Sequence, residues 1–192
     1  YLIGYYASIL ILFSCGENFI LQKKILIAVH LLDDKYRLFF FLPELKNIKD
    51  EKIIQRMTKQ LLKIDPINLN DFEEKRKIGE NSSYLCQLIR LDLLDEFITY
   101  VSQMNIKLSR KISLSVFESN QFLIKKKEIK LIEYAAFFWS IQIFQFLRLN
   151  GVELDSSIWI FAIHSNNAEL IHIIESIDVK PNYEDCFKEA FI

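Results

Sequence analysis

The sequence predicts an all-α chain of stacked helix-turn-helix repeats, a short solenoid preceded by a divergent helical region. Three observations lead there. Glycine and proline supply only 4 and 3 of 192 residues, against average usage of about 7% and 5%, so the turn residues of a hairpin-built β protein are missing. Leu, Ile, Lys and Glu dominate instead, which favours helix. Beyond residue 82, apolar residues recur at helical spacing in three segments that align with one another.

In chain order, YLIGYYASILILFSCG (1–16) is apolar but shorter than the roughly 18 to 20 residues that span a bilayer. It has no basic leader, so a buried or trimmed helix is expected there rather than a membrane or targeting segment. A first residue of Tyr rather than Met is expected of a fragment, a processed chain or an incomplete gene model. FILQKKILIAVHLL (19–32) reads as a core-facing helix with Lys23 and Lys24 on its other face, and Pro43 breaks the following run. DEKIIQRMTKQLLKIDP (50–66) is an amphipathic helix, with Ile53, Ile54, Met57, Leu61, Leu62 and Ile64 on one side, Asp50 as N-cap and Pro66 as stop. The charged stretch DFEEKRKIGEN (71–81) marks the boundary between an N-terminal region (1–72) and the repeat region (73–192). It reads as a solvated helix end leading into a turn. Asn81-Ser82-Ser83 fits a glycosylation sequon but is discounted without a secretory signal.

The aligned segments are LIRLDLLDEFITYVSQMN (88–105), AAFFWSIQIFQFLRLNG (135–151) and AIHSNNAELIHIIESID (162–178), within repeats near 84–106, 131–154 and 158–180, with a further helix starting at 183. In each, a small or apolar pair opens, a break falls at the fourth position after the first, and an amphipathic helix follows. These segments resemble ankyrin repeats, whose units run Thr-Pro-Leu-His-x-Ala-Ala-x-x-Gly-His-x-x-Ile-Val-x-x-Leu-Leu-x-x-Gly. Ala135 and Ala136 match the alanine pair, Ile143 and Phe144 the Ile-Val pair, Leu147 the first Leu and Gly151 the closing glycine. Ala162, Leu170, Ile171, Ile174 and Asp178 take the corresponding places in the next unit. The first unit is similar to the Gly-Asp-x-x-Glu-Val form, through Asp92, Leu94, Glu96, Phe97, Tyr100 and Val101. More specifically, residues 73–190 look like the domain of unknown function found in the large ankyrin-repeat families of trichomonad protists.

The spacing departs from the pattern in two places. Ala135 and Ala162 lie 27 positions apart, short of the ankyrin period of about 33, and the shortfall falls in VELDSSIW, where a projecting hairpin finger would form. Leu88 and Ala135 lie 47 apart, so IKLSRKISLSVFESNQFLIKKKEIK is expected to add a short helix or a long finger. The break position, normally glycine because the backbone there is left-handed, holds Asp92, Trp139 and Asn166. Asp and Asn tolerate that conformation. Trp does not, so either Trp139 is strained by about 1 kcal/mol or the turn is rebuilt around a buried indole.

Chemistry leaves little trace. Cys15, Cys86 and Cys186 are far apart and match no zinc or disulfide spacing, which points to a reducing, cytoplasmic compartment. His30 reads as a core residue, while His164 and His172 read as solvated or capping imidazoles. The adjacent carboxylates (Asp33-Asp34, Glu73-Glu74, Asp95-Glu96, Glu184-Asp185) do not face each other on a helix and form no acid/base dyad. Isolated glycines exclude a phosphate loop, and no GxSxG elbow is present. Cys86, between leucines, is a packed thiol. No catalysis, cofactor or metal is therefore expected, and a small helical enzyme is the least favoured of three readings.

A formal charge of −1, from 24 basic and 25 acidic residues, provides no field for nucleic acid or an anionic membrane. Neither is an expected partner. The densest basic run, LIKKKEIK (123–130), reads as a solvated loop; salt-sensitive binding of an acidic partner by Lys125, Lys126, Lys127 and Lys130 is its alternative. By resemblance to ankyrin proteins, the repeats imply a protein-binding concave face, carried here by Tyr134, Phe137 and Phe138 in one repeat and Phe161, His164 and Ser165 in the next. An architectural role, with packing against further repeats, is the second reading, because DCFKEAFI offers no polar C-terminal cap.

Overall fold

The computed structural model describes residues 71–190 apart from Leu114 and Lys127, together with Gln55. The expected segments at 1–16 and 19–32, with Cys15, His30 and Pro43, lie outside the described residues. Of the helix expected at 50–66 only Gln55 is described, helical and exposed. Among the described residues nine helices and one pair of short strands occur, so the chain is mostly helical. No helix among them is long and apolar enough to cross a membrane.

The chain divides into two units: residues 1–81 with 115–125, and residues 82–114 with 126–192. In the first, α1 (Phe72–Ile78) ends at Gly79, whose φ of 70° lets its N–H reach Lys75 O. Gly79 O accepts from Ser119 N at 2.9 Å and from Ser119 Oγ at 2.7 Å. A Cβ on Gly79 would lie 2.6 Å from that Oγ, so both the backbone angle and the space require glycine. Phe72 and Phe117 are buried edge to face, 5.3 Å between centroids.

The second unit contains α2 (Tyr84–Arg90), α3 (Leu94–Gln103), β1 (Lys111–Ser113), β2 (Glu128–Lys130), α5 (Leu131–Phe137), α6 (Ile141–Leu149), α7 (Ile158–Ser165), α8 (Ala168–Glu175) and α9 (Tyr183–Ala190). Between the strands lies α4 (Gln121–Lys126), of which 121–125 belong to the first unit. The helices pack as successive pairs, α2 on α3, α5 on α6 and α7 on α8. First helices also touch in series, α2 to α5 to α7 to α9, and α3 touches α6 among the second helices. Ala135, Ala136 and Ala162 are fully buried, and their lack of side-chain bulk lets α5 and α7 approach closely. Phe97, Ile143, Phe144, Leu147, Leu170 and Ile174 fill the space between first and second helices, all with no exposed surface. At roughly 1.5 to 3 kcal/mol for each such side chain, this burial is what holds helices of seven to ten residues that would be marginal alone.

The region between α3 and α5 contains both an added helix, α4, and a strand pair. KIS and EIK alternate polar and apolar residues, and Ile112 and Ile129 pair across the antiparallel ladder on the less exposed face. This pair is the departure from an all-helical chain. In the shortened junction, residues 152–157 hold turns and no strand.

The same turn closes each of the first two pairs. Asp92 N–H reaches Ile89 O and Leu93 N–H reaches Leu88 O; Trp139 N–H reaches Ala136 O and Ser140 N–H reaches Ala135 O. Asp92, Trp139 and Asn166 have φ of 50°, 47° and 50°. Trp139 is thus held in the left-handed conformation, and its side chain is 59% exposed, which excludes a turn rebuilt around a buried indole. Asn105 and Gly151, at φ 48° and 78°, end the second helices α3 and α6 in the same way.

Asp92 also locks one pair to the next. From its turn the carboxylate accepts Ile143 N–H at 3.0 Å and Gln142 N–H at 3.1 Å, capping α6 from the neighbouring pair. Ser140 Oγ donates in the opposite direction, to Ile89 O at the end of α2. Helix α8 is capped from its own turn instead, by Asn167 Oδ1 on Leu170 N–H at 3.0 Å. Trp139, at the position equivalent to Asp92, has no acceptor to offer.

Two outcomes follow for stability. Asp92→Ala removes both cap bonds and places a Cβ without compensation at positive φ, so urea denaturation is expected to show a loss of about 1–2 kcal/mol; Asp92→Asn, which tolerates the backbone and keeps one acceptor, is expected to lose about half of that. Trp139→Gly relieves strain at a solvent-exposed position and is expected to leave stability unchanged or raised by up to about 1 kcal/mol. A fall of more than that would mean the indole contributes packing.

Candidate functional site

The predicted contact residues lie on first helices, and the helical period divides them. Tyr134 and Phe161 are each 1% exposed and Ser165 7%, so all three belong to the core and offer a partner no surface. Their helices, LIEYAAF and IWIFAIHS, are apolar nearly all round because each packs on a first helix on either side and on its own second helix. Ser165 Oγ donates to Ala162 O at 2.7 Å, which accounts for a hydroxyl in that setting. Phe137, Phe138 and His164 are half-buried, with part of each ring open to solvent.

Those three form a continuous row with residues that were not singled out in the sequence. Tyr134 OH accepts from Arg90 Nη1 at 3.0 Å. The Tyr134 and Phe138 rings are 4.7 Å apart, Phe138 and Phe137 4.9 Å, and Phe137 and His164 5.8 Å. Arg90 Cζ lies 5.9 Å from the Phe138 centroid, within cation–π range. At the far end, His164 Nε2–H donates to Glu189 Oε1 at 2.6 Å, on α9. The row therefore crosses α2, α5, α7 and α9, with a guanidinium at one end and a carboxylate at the other. Arg90, Phe137 and His164 occupy the same offset before the left-handed turn residue in successive pairs. That shared offset was the signal that could have identified Arg90.

The basic run is divided between roles. Lys126 Nζ lies 5.8 Å from the Phe161 ring, Lys130 Nζ is 2.6 Å from Asp155 Oδ2, and Lys125 is exposed. Lys127 lies outside the described residues.

Lys130 belongs to a polar cluster at the start of α5 that the sequence did not reveal. Glu133, 9% exposed, accepts from Lys130 N at 2.8 Å and from Ser157 Oγ at 2.5 Å. Asp155 accepts from Ser157 N at 2.9 Å and also contacts Ser157 Oγ. A hydroxyl has one proton, so Ser157 shares it between two carboxylates while Lys130 supplies the balancing charge. The Lys130 ammonium, and after it the Ser157 hydroxyl, hold the Asp155 carboxyl down at about 2, below its ordinary 3.8. The Asp155 carboxylate in turn holds Lys130 above 10.5. Every member is engaged in fixing the start of α5 to the turn before α7, so the arrangement acts as a clamp where the junction is short. Burial, with the nearby Asp185 carboxylate, pushes the Cys186 thiol up, away from the thiolate that would react.

No family model matches the chain, and neither a curated protein nor a solved structure is significantly similar to it.

The clamp has a pH signature. The contribution of Asp155, whose carboxyl is lowered on folding, is present above about pH 3.8 and lost as pH falls toward about 2; that of Lys130, raised on folding, is present below pH 10.5 and lost as pH rises past it. Both side chains are substantially solvated, at 54% and 30% exposure, so the amplitude is expected to stay below about 1 kcal/mol. Asp155→Asn is expected to flatten the acid limb of the urea midpoint against pH; an unchanged limb would place the pH dependence elsewhere.

Proposed function

We propose that, within residues 73–192, the helix pairs of the second unit (82–114 with 126–192) form a short ankyrin-like stack that acts as a non-catalytic protein-interaction module, following an N-terminal region at 1–72. The observation that carries this reading is the partly exposed row of Arg90, Phe138, Phe137 and His164, which runs without a gap across successive first helices. Stacked repeats that share a core create such extended faces, and half-buried aromatic and Arg side chains are the usual anchors of protein interfaces. The recurring left-handed turn at Asp92, Trp139 and Asn166 and the close packing at Ala135, Ala136 and Ala162 support the repeat assignment, alongside the resemblance of the sequence. Its partner is a protein, and the contact uses Phe137, Phe138 and His164 rather than the buried Tyr134, Phe161 and Ser165.

A second reading, packing of this stack against further repeats, is favoured by α9. None of its side chains is buried, and Tyr183 and Phe187 are 79% and 67% exposed on one face.

The two readings separate in a crosslinking pull-down from source lysate comparing the wild type with Phe137→Ala, His164→Ala and with Tyr183→Ser, Phe187→Ser. The proposed module requires the first variant, at an unchanged thermal midpoint, to recover about a tenth or less of the partner. Equal recovery by the wild type and the first variant would sink the inner-row proposal, and a loss confined to the second variant would favour the architectural reading.

A further inference from the structure

Outside the inner row, the turns between first and second helices carry large apolar side chains where polar ones are the rule. Leu91 is 59% exposed, Leu93 38% and Trp139 59%. The bonds from Gln142 and Ile143 N–H to Asp92 and from Ser140 Oγ to Ile89 O bring the turn of the first pair against that of the second, so these three side chains stand on adjoining turns. Half-exposed Leu94 and Ile141 follow them in the chain. Trp139 holds a positive φ of 47° with its indole in solvent, so the strain is not offset by packing within the fold. An unrelieved backbone outlier carrying an exposed aromatic side chain is the kind of local departure that function maintains.

The surrounding charge selects the occupant. Asp95 and Glu96 follow directly in the first turn of α3, both exposed. The nearest basic residue in sequence, Arg90, is directed to Tyr134 OH and the Phe138 ring. Exposed Gln87 and Gln142 are neutral.

We propose that the ledge formed by Leu91, Leu93 and Trp139, rimmed by Asp95 and Glu96, docks a basic amphipathic helix of a partner protein. Its apolar face lies on the ledge, with Trp139 as anchor, and its Lys or Arg side chains meet the carboxylates. This surface is separate from the Phe137 and His164 row, and neither of those residues is altered in its test.

The probe is a synthetic helix with Leu on one face and Lys on the other, compared by calorimetry with a Leu/Glu helix of the same pattern. The wild type is expected to bind the Leu/Lys helix about tenfold or more tightly than the Leu/Glu helix, and less tightly as salt rises. Trp139→Gly, and separately Asp95→Lys with Glu96→Lys, are each expected to weaken that binding about tenfold at an unchanged thermal midpoint. Equal binding of the two helices, no binding, or binding unaffected by Trp139→Gly overturns the proposal. So does a Trp139-dependent dimer seen by sedimentation without peptide, which would make a second copy of this chain the occupant. If the midpoint of the Asp95, Glu96 variant falls, Asp95→Asn with Glu96→Gln replaces it, with the same expected direction.

Discussion

Asp92 holds a left-handed backbone and, from that position, caps the second helix of the next pair, and much of the second unit depends on this one arrangement. The turn needs a residue that tolerates positive φ, and glycine alone would suffice for the turn. Asp adds a carboxylate that reaches Gln142 and Ile143 N–H, two of the donors that the first turn of α6 leaves without intrahelical partners. Since Ser140 answers with a bond to Ile89 O, the contact is reciprocal. Apolar burial is non-directional; directional bonds at both sides of one turn add to side-chain packing in fixing the register in which Phe97 meets Phe146, 6.1 Å away and edge to face.

The following junction is built differently, and the difference has a cause. Trp139 stands where a capping Asp would be needed, so α8 is capped by Asn167 within its own pair. Register between α5 and α7 is then carried at the other end of α5, where Lys130, Glu133, Asp155 and Ser157 bond across the short junction. The loss of a directional contact at one end of the helix is matched by a polar clamp at the other. This frees the turn at Trp139 from a structural duty, and an exposed indole there changes surface chemistry without disturbing the frame.

How far all this was legible in the sequence depends on the length of the signal. The second helices are readable because Phe97 and Val101, or Ile143, Phe144 and Leu147, recur at helical spacing over nine or ten residues. Positive φ at Asp92 and Asn166 follows from residue type, and at Trp139 from position alone. Which aromatic rings face solvent was not readable: a first helix of seven or eight residues, apolar on every side, has no polar face to orient it, and the surroundings of Tyr134 and Phe161 come from neighbours far away in sequence. The strands at 111–113 and 128–130 are too short to establish a period of two. The Lys130 clamp joins residues 25 positions apart through a turn whose shape depends on the missing residues of the shortened junction.

The row at Arg90, Phe137 and His164 draws its geometry from the same packing that buries Tyr134. Axes of packed helices lie about 8–10 Å apart, so one offset repeated over three first helices spans about 20 Å, the reach of an extended segment of about six residues. Within it the chemistry changes from guanidinium to phenyl to imidazole, while the bonds to Tyr134 and Glu189 hold both polar ends in place. The rings between offer apolar area with little side-chain freedom left to lose. Under the proposed interaction role, such a row would discriminate a partner by the order of the side chains it meets, because each of its positions is one that packing between the helices leaves partly open.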